Sequence, residues 1–310
     1  MYTAILVLFS RLGDRLISIL GFYVLSKYLN FKTNIATFIT NVKPNFDDKY
    51  DINLFNFSND LIFDNDFDLI FRYKEPPSFS PIKVFNFLKK NGINISFEQL
   101  SNDYVKYAKQ IFKPSPVILN NIPQGLEDVY GIHLRKSDRI NDSDDYRHTT
   151  LNKEFPLIIE NMLNDVKRII DTESNPKFLI VSEDNEWKLE ISNIILEYAN
   201  KNNKQIELVN INYEIGIYYF NYEAVLDFFC LSRCKEILMG VKYSSFSIMA
   251  AIIGNNKLRN YFNYDKENYD NCLIHCFSSM IEINNNKNFD VDYHTRITNH
   301  IQDFQIQQKS

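Results

Sequence analysis

Apolar residues at 4–9 form a short run that stops at Ser10 and Arg11, the pattern of a buried strand opening into a loop. From 15 to 29 the period changes. Leu16, Leu20, Tyr23, Val24 and Lys27 recur at three-four spacing, which predicts a helix with one packed stripe, and Asn30 is a helix stop. Strands are expected at 33–38 and 69–73, while 41–66 alternates polar and aromatic residues without a helical period. Pro76, Pro77 and Pro81 break regular structure, 100–112 reads as helix, and Pro114, Pro116 and Pro123 mark a linker. The second half alternates: strands at 129–135, 178–182, 206–209 and 236–240, and helices at 155–170, 187–199, 222–231 and 245–253. Strand and helix in turn imply a parallel sheet covered on both faces. With a similar unit at the start, the chain reads as α/β, two Rossmann-like domains, 1–122 and 123–310, divided in the Pro-rich stretch at 122–124. Beyond 255 the sequence becomes polar and Asn-rich and ends in an amphipathic stretch and a loose tail.

The length of 310 residues, 45% hydrophobic and 24% charged, suits globular domains with substantial cores. A net charge of −5 gives no general electrostatic reason to bind nucleic acid, while leaving room for a local basic pocket. No run reaches the ~18 apolar residues of a membrane helix. The expectation is a cytoplasmic protein, possible peripheral association with a membrane-bound acceptor included. Cys230/Cys234 and Cys272/Cys276 are each spaced i, i+4, with His275 beside the second pair. Cys230 lies among Phe228, Phe229 and Leu231, where a free thiol behaves as a small hydrophobe, so no metal is expected there.

The densest chemistry lies at Gly131-Ile132-His133-Leu134-Arg135-Lys136-Ser137-Asp138. A buried strand that ends in His, Arg and Asp is the sequence image of a parallel strand opening on a ligand crevice. His133 and Arg135 share a side by strand alternation. Arg135 can hold a phosphate bidentately with its planar fork, and Asp138 can hold that guanidinium or the loop. An ordinary surface ion pair is the plain alternative. Glu183 and Asp184 close another strand and are candidates for the same crevice. Asn141-Asp142-Ser143-Asp144-Asp145 carries an acidic D-x-D string, read as solvated loop rather than metal grip.

The blocks together resemble the fucosyltransferase-like glycosyltransferases, the group of the α-1,6-fucosyltransferases and protein O-fucosyltransferases, which use GDP-fucose on a GT-B fold. His133-x-Arg135-x-x-Asp138 resembles the strand-end signature. Ser10-Arg11-Leu12-Gly13-Asp14 is similar to the first loop, usually Gly-x-x-Gly-Asn. Asp227-Phe228-Phe229-Cys230-Leu231-Ser232, Ile237-Leu238-Met239-Gly240 and Ser244-Ser245-Phe246-Ser247 resemble the last donor-site block. Ser10 and Asp14 depart from the usual Gly and Asn, which leaves the sugar and the acceptor chemistry open.

The resemblance implies an inverting, metal-independent transfer from a GDP-sugar donor, with no cofactor, to a glycan or protein hydroxyl. Arg135 would stabilise the departing phosphate. Arg11, Gly13, His133, Asp138, Asp227, Ser244, Ser245 and Phe246 would bind the donor, the serines opening a helix whose free N–H groups suit an anion. Asp227 would accept from a guanine edge or ribose, unless it is an exposed acid on an amphipathic helix. Apart from the resemblance, which has Asn at this position, the place of Asp14 in the first βα loop suits a base for the acceptor hydroxyl or the N-cap of the helix over 15–29. A catalytically inactive nucleotide- or glycan-binding module, or a transferase of another nucleotide-sugar, stands as the alternative.

Overall fold

The computed structural model describes residues 3–7, 12–30, 32–36, 55–56, 61–63, 81–135, 146–213, 222–241 and 244–261. Its contacts group into two compact units, Met1–Glu127 with Asn210–Cys234 and Ser244–Asn255, and Asp128–Val209 with Lys235–Tyr243 and Asn256–Ser310. The contact grouping is therefore interleaved along the chain, whereas the prolines suggested a single cut at 122–124.

In the first unit, β1 (Thr3–Val7), β2 (Lys32–Ala36) and β4 (Leu61–Phe63) form a parallel sheet in that order. Strand β3 (Phe55–Asn56) pairs antiparallel with β5 (Lys113–Pro114). Helix α1 (Leu12–Leu29) starts three residues before the expected 15 and buries Leu16, Leu20, Tyr23 and Val24 almost completely. Each such side chain contributes about 1.5–3 kcal/mol of hydrophobic stabilisation. Pro81, read as a breaker, instead opens α2 (Pro81–Lys90), the first helical position being where a missing N–H costs nothing. Helix α3 (Phe97–Ile111) is capped by Ser96, whose hydroxyl accepts from the Gln99 N–H at 3.0 Å. Short α4 (Pro116–Leu119) follows the same logic with Ser115 as cap and Pro116 next.

The second unit is built on a five-stranded parallel sheet in the order β10-β9-β6-β7-β8. The strands are β6 (Val129–Leu134), β7 (Lys177–Ser182), β8 (Glu207–Val209), β9 (Glu236–Met239) and β10 (Lys257–Asn260). All six residues of β6 are buried, as a central strand covered on both faces requires. Strand β10 was not expected: Lys257, Arg259 and Asn260 give an edge strand no apolar run to read. Helix α5 (Tyr146–Thr172) begins nine residues before the expected 155 and carries Pro156 inside it. Helix α6 (Asn185–Lys201) buries Trp187, Ile191, Ile195 and Ala199 at four-residue spacing. Helices α7 (Tyr222–Leu231) and α8 (Ser245–Gly254) lead from β8 to β9 and from β9 to β10, yet group by contact with the first unit.

Strand β6 touches its sequence successor β7 on one side and β9 on the other, so the order reverses between β6 and β9. In open α/β sheets the crevice beyond the carboxyl ends at such a reversal is where ligands bind. The expected strand at 69–73 lies outside the described residues. Among them, no helix is long and apolar enough to cross a membrane.

Candidate functional site

At the reversal point in the second unit, the chain leaves β6 through Arg135, whose side chain is only 13% exposed. Its Nε lies 4.0 Å from Glu183 Oε1, just past the end of β7. That is a loose ion pair, longer than the roughly 2.7–2.9 Å of a charge-assisted hydrogen bond. Glu183, read from sequence as a lesser candidate, is thus the carboxylate placed beside Arg135. The neighbouring Asp184 is instead the N-cap of α6, accepting from the Trp187 N–H at 3.0 Å. Asp138 and the acidic string Asp142–Asp145 lie outside the described residues.

His133 is buried within β6, and its carbonyl accepts from the Gly240 N–H at 2.9 Å. A Cβ on Gly240 would stand 2.7 Å from Met162 Sδ and 2.9 Å from Leu134 Cδ2. A side chain at Gly240 would therefore displace the ends of Met162 and Leu134, where β9 ends beside β6.

In the first unit, α1 and α8 meet at their N-terminal ends. A Cβ on Gly13 would lie 2.5 Å from the Phe246 nitrogen and 2.6 Å from Ser245 Oγ. No side chain fits, so Gly13 is fixed by the close approach of two helix starts. Ser244 is the N-cap of α8, its hydroxyl accepting from the Ser247 N–H at 3.2 Å; Ser244 and Ser247 are fully buried. Two helix N-termini packed together concentrate positive potential, an arrangement an anion would stabilise. Phe246 packs edge-on against Phe228 of α7, with centroids 5.4 Å apart.

The start of α1 at Leu12 changes the status of Asp14. By its backbone it sits inside the first helical turn, not at the cap position, so the capping alternative is replaced by a first-turn one. Arg11 lies outside the described residues.

Asp227 is buried on α7 at 8% exposure, so it is not an acid on an exposed helical face. It accepts a 2.5 Å hydrogen bond from the Tyr213 hydroxyl. Burial, and then the Asp227 charge, push the Tyr213 hydroxyl well above its ordinary pKa and keep it a donor. Sequence reasoning missed Tyr213, which stands in a short polar stretch without motif or period. Cys230 and Cys234 are buried free thiols; burial pushes Cys234 up to about 12, so it is unreactive at neutral pH. Cys272, His275 and Cys276 lie outside the described residues.

No family model matches the sequence, and no curated protein matches it. Solved structures do. A mutant of Arabidopsis thaliana FUT1 in complex with GDP is similar with a TM-score of 0.51 at 12% identity, over 87% of this chain and 72% of that one. NodZ α-1,6-fucosyltransferase soaked with GDP-fucose gives a TM-score of 0.45 at 14% identity, over 81% of this chain and 92% of that one. Fucosyltransferase NodZ from Bradyrhizobium also gives 0.45 at 14%, over 80% and 92%. The likeness is one of fold: the chain takes the α/β, GT-B-like fold of the fucosyltransferase-like glycosyltransferases.

Proposed function

We propose that this chain is an inverting, metal-independent glycosyltransferase that moves fucose from GDP-fucose to a hydroxyl of a glycan or a protein. The observation that carries the reading is the close approach of Gly13 to Ser245 and Phe246, which brings the positive ends of two helix dipoles together. The shared fold with a FUT1 bound to GDP supports a guanine nucleotide as the anion they attract.

Transfer breaks the bond between the sugar's anomeric carbon and the β-phosphate oxygen, which leaves with the electron pair. Arg135 stabilises the charge that grows on this oxygen, and the Ser244 and Ser245 region binds the donor phosphates. His133, Arg11, Gly13, Asp138 and Phe246 complete the donor contacts, and Asp227 accepts from the guanine edge or ribose. Asp14 takes the proton of the acceptor hydroxyl as its oxygen attacks the opposite face of the anomeric carbon. The protein donors fill the role of a cation, so no metal or cofactor is needed. The protein works in the cytoplasm on an acceptor that is soluble or displayed at a membrane surface.

Arg135→Lys tests this directly. A point charge cannot replace a bidentate fork, so turnover of GDP-fucose should fall about a hundredfold, ~3 kcal/mol of transition-state stabilisation. Wild-type turnover should persist in EDTA. A folded Arg135→Ala protein with undiminished turnover, or activity abolished by chelation and restored by Mn²⁺, would refute the assignment.

A further inference from the structure

Strand pairing in the second unit brings Glu183 to Arg135. Leu134 of β6 is the register partner of Ser182 of β7, and the two strands run parallel. The next residue on each is Arg135 and Glu183, so both leave the carboxyl ends of adjacent strands, the side on which open α/β sheets bind ligands. The turn after β7 is fixed by its own hydrogen bonds. Ser182 Oγ accepts from the Asp184 N–H at 3.1 Å, and Asp184 accepts from the Trp187 N–H at 3.0 Å as the cap of α6. Asp184 thus serves the helix, and Glu183 is the acid whose carboxylate meets Arg135. The Glu183 side chain is 41% exposed against 13% for Arg135, so the carboxylate stands on the open side of the pair.

The covalent order of a nucleotide-sugar decides what such a carboxylate can touch. With Arg135 on the β-phosphate, the first neutral group beyond it is the transferred sugar, whose 2-hydroxyl sits on the carbon next to the anomeric one. The ribose and the base lie in the other direction, past the α-phosphate. A carboxylate accepts from hydroxyls and repels phosphates, so its stable place is beside the sugar and not along the diphosphate. For the same reason it disfavours a sugar that carries its own carboxylate. Beside the leaving phosphate, Glu183 is on the wrong side of the anomeric carbon to act as base, since the acceptor attacks the opposite face. An ion pair that only aims Arg135 is the plain alternative. A charge-assisted hydrogen bond for that task spans about 2.7–2.9 Å, and this contact at 4.0 Å is longer.

We propose that Glu183 selects the donor sugar, accepting hydrogen bonds from the hydroxyls of a neutral sugar while Arg135 holds the phosphate. The assignment rests on the transferase reading. Calorimetric titration of the full chain without acceptor compares GDP with GDP-fucose, for the wild type, Glu183→Gln and Glu183→Ala. The quantity read is the Kd for GDP-fucose divided by the Kd for GDP. Each variant should raise it, Glu183→Ala at least about tenfold, because hydrogen bonds to a charged acceptor are lost. GDP alone should bind as tightly as it does to the wild type, or more tightly, because a negative charge near the diphosphate has gone. Glu183→Gln keeps the shape of a side chain that is largely open to solvent, so the ratio is read on a native fold, which a melt of the free variant checks.

A ratio that stays at the wild-type value in both variants overturns the proposal. If GDP and GDP-fucose weaken together, Glu183 only aims Arg135; if neither changes, it is a solvated surface acid. Both outcomes overturn the sugar assignment while GDP binding by the wild type leaves the transferase reading standing. A wild type that binds neither ligand would sink the transferase reading and this assignment with it, which separates the two failures.

Discussion

Gly13 and Asp14 are adjacent residues with opposite requirements. The first must lack a side chain, because a Cβ would collide with the Phe246 nitrogen at 2.5 Å. The second is useful only through its side chain. Placed in the first turn of α1, an aspartate favours the helix dipole by about 0.3–1 kcal/mol whether or not it is catalytic. Asp14→Asn separates the two contributions, since it keeps the shape and removes the basicity. A base predicts a loss of about 10²–10⁴-fold in transfer rate with little change in GDP affinity. A purely electrostatic helix role predicts a small fall in melting temperature and a near-normal rate, and that result would sink the base assignment. Single-turnover transfer and a thermal melt on the same preparation decide it. At this scale the sequence singles out Gly13, His133, Arg135 and Asp227 as candidates because each stands in a short spaced block. Tyr213 was illegible: its role comes from a hydrogen bond to Asp227 fourteen positions away, which no local pattern encodes.

Elements were legible where burial writes a period. Strand β6, buried at all six positions, and α7, apolar along most of its length, lie close to where the pattern put them. Boundaries shifted where proline carries two meanings. Pro81 and Pro116 open helices, while Pro156 sits inside α5, so the same residue marks a start in one place and is tolerated in the interior in another. Strand β10 escaped because an edge strand of lysine, arginine and asparagine has no hydrophobic signature. The strand order, and so the reversal beside Arg135, is likewise fixed by tertiary pairing rather than by any one segment. Pro156 offers a test of the long α5. It cannot donate to the turn before it, and within a helix proline is less favourable than alanine by about 3 kcal/mol. Pro156 is exposed. Pro156→Ala should therefore raise the melting temperature. If the helix instead began at 155, proline would occupy the tolerated first turn, and the substitution would leave stability unchanged or lower it.

For the molecule as a whole, the most concentrated electrostatic feature among the described residues is the cluster of Arg259, Glu236, Asp165 and Tyr261. Arg259 donates to Glu236 at 2.5 and 2.7 Å and to Asp165 at 2.6 Å, and Tyr261 donates to Asp165 at 2.9 Å. It ties the edge strand β10 to β9 and α5. Burial works against ionisation of Asp165, but the hydrogen bonds from Arg259 and Arg168 outweigh it and hold the carboxyl below its ordinary range. A lowered folded pKa means that the unfolded chain binds the proton first. The stabilisation is thus present above the unfolded value of about 3.9 and lost as pH falls through the folded one. Urea denaturation at a series of pH values should show a midpoint that drops on acidification below about pH 4. Asp165→Asn should lower the midpoint at neutral pH and flatten that acid dependence. A midpoint for Asp165→Asn equal to the wild type's across the pH series would show that the cluster adds nothing to folding.

The central claim is that a GDP-sugar is the donor, and calorimetric titration of the full chain with GDP, UDP and CMP tests it without knowledge of the acceptor. The account predicts saturable one-to-one binding of GDP in EDTA, at least about tenfold tighter than UDP or CMP, equivalent to ~1.4 kcal/mol or more. Arg135→Ala and Asp227→Ala should each weaken it. Absence of GDP binding, or equal affinity for all three nucleotides, would contradict the account.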